Sequence, residues 1–216
     1  MEMQLTDLHS AFDGLQKKYG SPELDSIYGA GCVRNPEVCF VFMNPTGKNV
    51  ASAKTWKGLK APWLGTKNVW KLLGAVGVLS DATFKEISAR KPQDWDYDFA
   101  NRVYREVAAN GAYITNLGKC TLGDASHVPD GVFREYLDLL EREIKTIDPE
   151  RIITFGNQVS SLFLGAPIKV SEMRKKSRVK IIGGVKFKVY PVYYPVGQGM
   201  RNLPLAVEDI KFALAA

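Results

Sequence analysis

Histidine and cysteine, from which most metal centres and many catalytic centres are built, are scarce: the chain holds two histidines and three cysteines. It has no H-E-x-x-H pair, Walker loop, G-x-G-x-x-G loop or G-x-S-x-G elbow. That sets aside the common zinc hydrolases, P-loop NTPases, dinucleotide-dependent oxidoreductases and α/β serine hydrolases. Cys32, Cys39 and Cys120 cannot pair completely and form no disulfide framework, which fits a reducing, intracellular setting. Together with His127 they are four conceivable ligands, but Cys32 and Cys39 lie too far apart for the usual zinc pair, and we expect no metal. No apolar run approaches the ~18 residues of a membrane span. Met1 to Lys18 is peppered with charge and lacks an apolar signal core, so the expected location is cytoplasmic. Acidic excess is absent too. Lys and Arg number 29 against 23 Asp and Glu, a formal charge of +6. That sign favours a polyanionic partner, the alternative being a basic surface with no particular partner. With no repeat, low-complexity tract or linker, residues 1–216 read as one domain.

What is present centres on Val38 to Lys48, V-C-F-V-F-M-N-P-T-G-K. Val38 to Met43 is an apolar run without polar alternation, the mark of a strand buried on both faces. Asn44-Pro45-Thr46-Gly47 ends it with a turn signature. Open α/β folds bind their ligands at the carboxyl edge of such strands. The plain alternative is an ordinary connecting loop.

Leu5, Leu8, Phe12 and Leu15 predict an amphipathic first helix, ended by Gly20 and Pro22, and Tyr28 to Gly31 reads as loop. Asn44 to Gly65 is a long polar and aromatic segment, with Thr66 able to cap a helix carrying Val69, Leu72, Leu73 and Val76. Ser80 to Arg90 reads as a short helix or irregular, and a helix with Phe99, Val103 and Val107 follows Asp94 to Asp98. Further strands are expected at Ala112 to Asn116, Arg151 to Phe155 and Val185 to Val192. Helices follow through Phe133 to Ile144, Leu162 to Leu164 and Leu203 to Leu214. Strands alternating with helices imply a three-layer α/β/α sandwich on a four-stranded, mainly parallel sheet, with all four strand ends converging at one edge.

Those ends are Asn44, Asn116, Phe155-Gly156-Asn157 and Tyr194 to Asn202. An asparagine amide offers one acceptor and two donors, matching a nucleobase edge, and Trp63 could supply a stacking face. Singly, each asparagine reads more simply as a turn former bonded to its own backbone, and Trp63 as core. Lys169 to Lys188 carries eight Lys and Arg against the single acid Glu172, either phosphate-attracting or a solvated charged hairpin.

From about Gly29 onward the chain resembles the uracil-DNA glycosylase superfamily. Phe42–Gly47 (F-M-N-P-T-G) is similar to the asparagine form of its first motif, as in the mismatch-specific and single-strand-selective branches. Ala61–Gly65 (A-P-W-L-G) resembles the segment whose aromatic stacks on the flipped base. Tyr113–Cys120 (Y-I-T-N-L-G-K-C) resembles the strand whose asparagine reads the base edge. Arg151–Val159 resembles the hydrophobic strand before the late helix, and Tyr194–Asn202 stands where the second motif belongs. The chain departs at Phe42, where a glycine is usual, at the inserted Thr46, and at Tyr194 and Val196, where many relatives have His and Ser.

The resemblance implies a monofunctional DNA glycosylase that flips a deaminated base out of DNA and hydrolyses its N-glycosidic bond, acting as a monomer on DNA with a damaged or mismatched base. It implies Asn44 placing water, Tyr194 and the backbone near Met43 stabilising the departing base, Trp63 stacking on it and Asn116 reading it. Gly197, Gln198 and Arg201 would press into the duplex and contact phosphate. Several branches hold an iron–sulfur cluster on four cysteines. Three cysteines and no early C-x-x-C lead us to expect no cofactor here. Two other readings stay open: a non-catalytic DNA- or nucleotide-binding module of the same fold, and a hydrolase of free nucleosides or nucleotides.

Overall fold

The computed structural model describes residues 3–195 and 197–216. Its strands are β1 (Ala30–Gly31), β2 (Val38–Phe42), β3 (Ala112–Asn116), β4 (Arg151–Phe155), β5 (Arg178–Ile182) and β6 (Val185–Val192). Its helices are α1 (His9–Tyr19), α2 (Asn68–Ala75), α3 (Asp81–Ala89), α4 (Tyr97–Ala109), α5 (Asp130–Ile147), α6 (Gly156–Leu164) and α7 (Leu203–Ala215). The strands form one mixed sheet in the order β1-β3-β2-β4-β6-β5. The four expected strands are its parallel centre, β3-β2-β4-β6.

The sheet has six strands rather than four because an antiparallel strand closes each edge. Two residues, Ala30 and Gly31, carry no periodicity, so β1 lay within a stretch that reads as loop. β5 lay inside the basic run, its R-V-K-I-I pattern masked by charge. Thr66 does not cap α2. Lys67 holds the cap position, and the Thr66 hydroxyl donates instead to the Trp63 carbonyl. Ser80 to Arg90 does contain a helix, α3, whose cap Ser80 accepts from the Thr83 amide. Asp96 caps α4 in the same way, accepting from Phe99. α5 stops where Asp148 turns left-handed (φ 50°) ahead of Pro149.

All five residues of β2 are buried, and their alternation separates the two faces. Val38, Phe40 and Phe42 pack in the layer under α2, α4 and α7, whereas Cys39 and Val41 pack in the layer under α5 and α6. Both faces are covered, so the strand needs no polar residue. Each fully buried Val or Phe there contributes about 1.5–3 kcal/mol of transfer free energy. A smaller cluster around Leu8, Phe12 and Tyr136 seats α1 on α5. No described helix is long and apolar enough to cross a membrane.

Candidate active site at the carboxyl edge of the sheet

The parallel strands deliver their carboxyl ends to one edge, where a cavity of about 750 Å³ opens. Its walls include Met43 and Asn44 from the turn after β2, Trp63 from the long segment, Asn116 from the end of β3, and Tyr194 from the chain after β6. Backbone pairing fixes the first two ends together. Phe42 lies opposite Asn116 in the ladder, and the amides of Leu117 and Gly118 donate to the carbonyls of Phe42 (2.7 Å) and Met43 (2.9 Å). The turn Asn44–Gly47 is tied to the chain after β3, since the Gly47 amide donates to Leu122 O at 2.7 Å.

Trp63 is held by its own carbonyl. Its φ is +66°, unusual for a bulky residue. The carbonyl accepts from Trp70 Nε1 (3.0 Å) and Thr66 Oγ1 (2.7 Å), which fastens the turn from the α2 side. A residue in this backbone region costs of order 1–3 kcal/mol and persists only where its surroundings over-determine it. The Trp63 ring meets Phe42 edge to face at 5.0 Å, while Phe42 stacks on Phe155 at 4.2 Å. Phe42, the departure from the glycine of the first motif, is therefore the aromatic floor on which Trp63 rests.

Asn116 is buried, and its Oδ1 finds no partner among the described residues. An unpaired buried acceptor costs about 1–3 kcal/mol, so such an atom beside a cavity has the capacity to accept from a ligand donor or a water. Asn44 bonds its own turn, Nδ2 donating to Pro45 O at 3.0 Å; among the described residues no group donates to its Oδ1. Tyr194 makes an edge contact with Phe42 at 6.5 Å, and burial pushes its hydroxyl up to about 12, so it is a neutral donor at physiological pH. Gly199 lets the following turn fold back over Tyr194. A Cβ there would stand 1.9 Å from the Tyr194 carbonyl oxygen.

No carboxylate is among the described residues lining the cavity, whereas Lys48 and Lys67 are. The site therefore combines neutral amide and phenol groups with cationic side chains. It suits a planar polar ligand carrying, or attached to, negative charge. Its described lining residues include no strong general base.

Five of the eight expected site residues thus share one cavity: Met43, Asn44, Trp63, Asn116 and Tyr194. Arg201 is exposed in the 3₁₀ turn Gly197–Asn202 and is not among its described lining residues. Gly197 and Gln198 begin that turn; the Gln198 side chain and Val196 lie outside the described residues.

The basic stretch is not gathered at the cavity. Lys186 and Lys188 lie at the start of β6, whose far end feeds Tyr194, so at ~3.3 Å per residue they stand roughly 20–25 Å away. Arg174 is paired with Glu208 and Asp209, and Lys180 with Glu141.

Sequence reasoning missed Asn49. Its buried amide accepts from Ala51 N (3.0 Å) and donates to Ala61 O (2.9 Å), stitching the first-motif turn to the Trp63 segment. An asparagine two residues after the glycine of the turn was the signal. Lys48 and Lys67 were missed as well. His9 is not among the described cavity residues and stacks on Tyr28 at 3.7 Å. Cys39 and Cys120 are buried in different core clusters, and among the described residues no group of three or more His, Cys, Asp or Glu is placed to hold a metal. The cysteines therefore do not fit the four-cysteine cluster of some superfamily branches.

An α/β sheet with an amide-lined cavity of about 750 Å³ at the carboxyl edge of its parallel strands is the usual ligand-binding arrangement of open α/β folds. The family model of the uracil DNA glycosylase superfamily matches residues 28–210, and the chain belongs to that superfamily. No curated protein matches the chain. Members of the superfamily generally hydrolyse N-glycosidic bonds and act on DNA.

Proposed function

We propose that the protein is a monofunctional DNA glycosylase that hydrolyses the N-glycosidic bond of uracil or another deaminated base flipped out of DNA. The observation that carries this reading is the shared cavity of Asn44, Trp63, Asn116 and Tyr194, in which the Asn116 Oδ1 is buried and has no partner among the described residues.

The flipped base enters at a cost of a few kcal/mol, least at a mismatch. Trp63 stacks on it, a contribution of about 1–3 kcal/mol. The Asn116 Oδ1 accepts from a ring or exocyclic N–H on the base edge, which selects bases presenting a donor there. Asn44 Oδ1 holds a water against the sugar C1′. Since an amide is a poor base, its contribution is placement rather than proton removal. The C1′–N bond breaks with its electron pair going to the base. The water oxygen bonds C1′, and its proton is released as the base anion departs. The Tyr194 hydroxyl and the Met43 backbone amide donate to the developing anion, as preorganised donors do. Lys48 and Lys67 hold flanking phosphates.

Base release from labelled oligonucleotides carrying uracil, hypoxanthine, xanthine or a thymine–guanine mismatch, single- and double-stranded, tests the proposal. Release of at least one base identifies the substrate. Release from none, with duplex binding intact, supports the second reading, a DNA-binding module. Tyr194 in place of the usual His and the Asn44 Nδ2 bond to Pro45 O favour that reading. Release from free nucleosides but not DNA would point to the nucleoside hydrolase.

A further inference from the structure

Behind Asn116, on the opposite face of β3, lies a buried polar network that the chemistry above does not use. Lys119 is fully buried and Glu143 of α5 is 2% exposed. Lys119 Nζ donates to Thr115 Oγ1 at 2.6 Å and to the Asn116 carbonyl at 2.6 Å, and faces Glu143 Oε2 at 2.6 Å in an ion-pair contact. Glu143 Oε1 accepts from the hydroxyls of Tyr113 and Thr115, both at 2.8 Å.

The placement follows from strand geometry. Tyr113 and Thr115 are alternate residues and point to the α5 side, where Glu143 spans both. Asn116 is the next residue, and its side chain goes to the cavity instead. The lysine stem bends back over the turn Leu117-Gly118 so that its ammonium grips the carbonyl of the residue whose amide lines the site. Space around the network is closed. A Cβ on Gly29 would lie 2.1 Å from Tyr113 Oη and 2.3 Å from Glu143 Oε1.

A buried ion pair is costly to desolvate, and well-packed apolar residues in its place are often equally stable or more so. Stability alone therefore gives weak reason for it, and its bond to Asn116 O gives a better one. We propose that the Lys119–Glu143 pair is the positioning device of Asn116, holding the peptide from which the base-reading amide projects and thereby setting which base the cavity accepts. This rests on the reading of Asn116 as the residue that recognises the base. Lys119 and Glu143 are positioning residues and touch no substrate.

The test compares wild type with Glu143→Gln, Lys119→Met and the double variant. Each single change leaves a buried charge or its partners unpaired and lowers the melting temperature. The double change removes both charges and recovers melting temperature relative to the singles. The Asn116 side-chain amide, assigned by its loss in Asn116→Asp, gives one sharp pair of signals in the ¹H–¹⁵N spectrum of wild type. In the double variant it shifts or broadens, kcat for base release falls on the order of 10- to 100-fold, and preference among bases relaxes. Thr115→Val, which keeps both charges but removes one partner of the ammonium, shifts the same signal to a smaller extent and serves if the double variant does not fold. An Asn116 amide signal unchanged in the double variant, or in Thr115→Val where that variant stands in, overturns the proposal. A wild type that releases no base while the Asn116 signal still moves in these variants sustains the positioning role and removes the glycosylase reading.

Discussion

Asn44 and Asn116 are both strand-end asparagines, yet they stand differently. Asn44 spends one donor on its own turn, as an ordinary turn former does, and keeps an acceptor without a partner among the described residues. Asn116 makes no such local bond through its buried Oδ1. On the proposed mechanism Asn44→Ala removes water placement, and single-turnover release is expected to fall roughly 100-fold with melting temperature nearly unchanged. Trp63→Ala removes the stacking face. Its expected signature is weaker substrate binding by about 1–3 kcal/mol, read as a raised KM. Asn49→Ala belongs to another class. It unpairs the buried Ala61 carbonyl and the Ala51 amide, and thermal or denaturant unfolding should show a loss of about 1–3 kcal/mol.

At the scale of elements, the site is made of turns that the sheet holds in place. The turn after β2, the chain after β3 and the Trp63 segment are tied to one another by backbone bonds and by Asn49. Gly199→Ala tests the 3₁₀ turn Gly197–Asn202 that follows Tyr194. Its Cβ would collide with the Tyr194 carbonyl, so the 3₁₀ turn must move; because Tyr194 and Met200 pack on the main core, both base release and melting temperature should fall. The central strands were legible because burial on both faces writes an uninterrupted apolar run, and the turns because Asn-Pro-x-Gly has few other uses. The edge strands were not legible. β1 is too short to show a period, and β5 alternates Val and Ile with Lys and Arg, which also reads as a charged surface. Lys119 was visible in Y-I-T-N-L-G-K-C, but nothing local says that a lysine three residues past the strand end turns inward. That needs Glu143, supplied 24 residues later by α5.

On the scale of the whole molecule, charge is distributed in a way that composition could not reveal. Cations at the cavity come from Lys48 and Lys67, while Lys186 and Lys188 sit toward the opposite edge of the sheet. Duplex binding should weaken with salt, and neutralising Lys48 or Lys67 should reduce the log–log slope by about 0.9 each if each holds one phosphate. The same change at Lys186 or Lys188 should leave the slope as it is.

A second whole-molecule property follows from the buried phenols. Burial holds the hydroxyls of Tyr104 and Tyr113 well above the ordinary tyrosine range, and Tyr194 up to about 12. In the unfolded chain they ionise near ~10. The folded state thus binds more protons than the unfolded state above that pH. The stability these groups contribute is complete below it and is lost progressively as pH rises toward and through their folded values. Melting temperature measured at pH 8 to 11 should fall only in the alkaline part of the range, and the Tyr194 hydroxyl should remain a competent donor throughout neutral pH.

The most direct measurement is the single-turnover rate of base release from a uracil-containing oligonucleotide by wild type and by Asn44→Ala, with DNA binding recorded in the same samples. The expected result is release by wild type, a rate roughly 100-fold lower in the variant, and equal binding by both. Equal rates in the two proteins, or binding without release by wild type on every deaminated base, would contradict it.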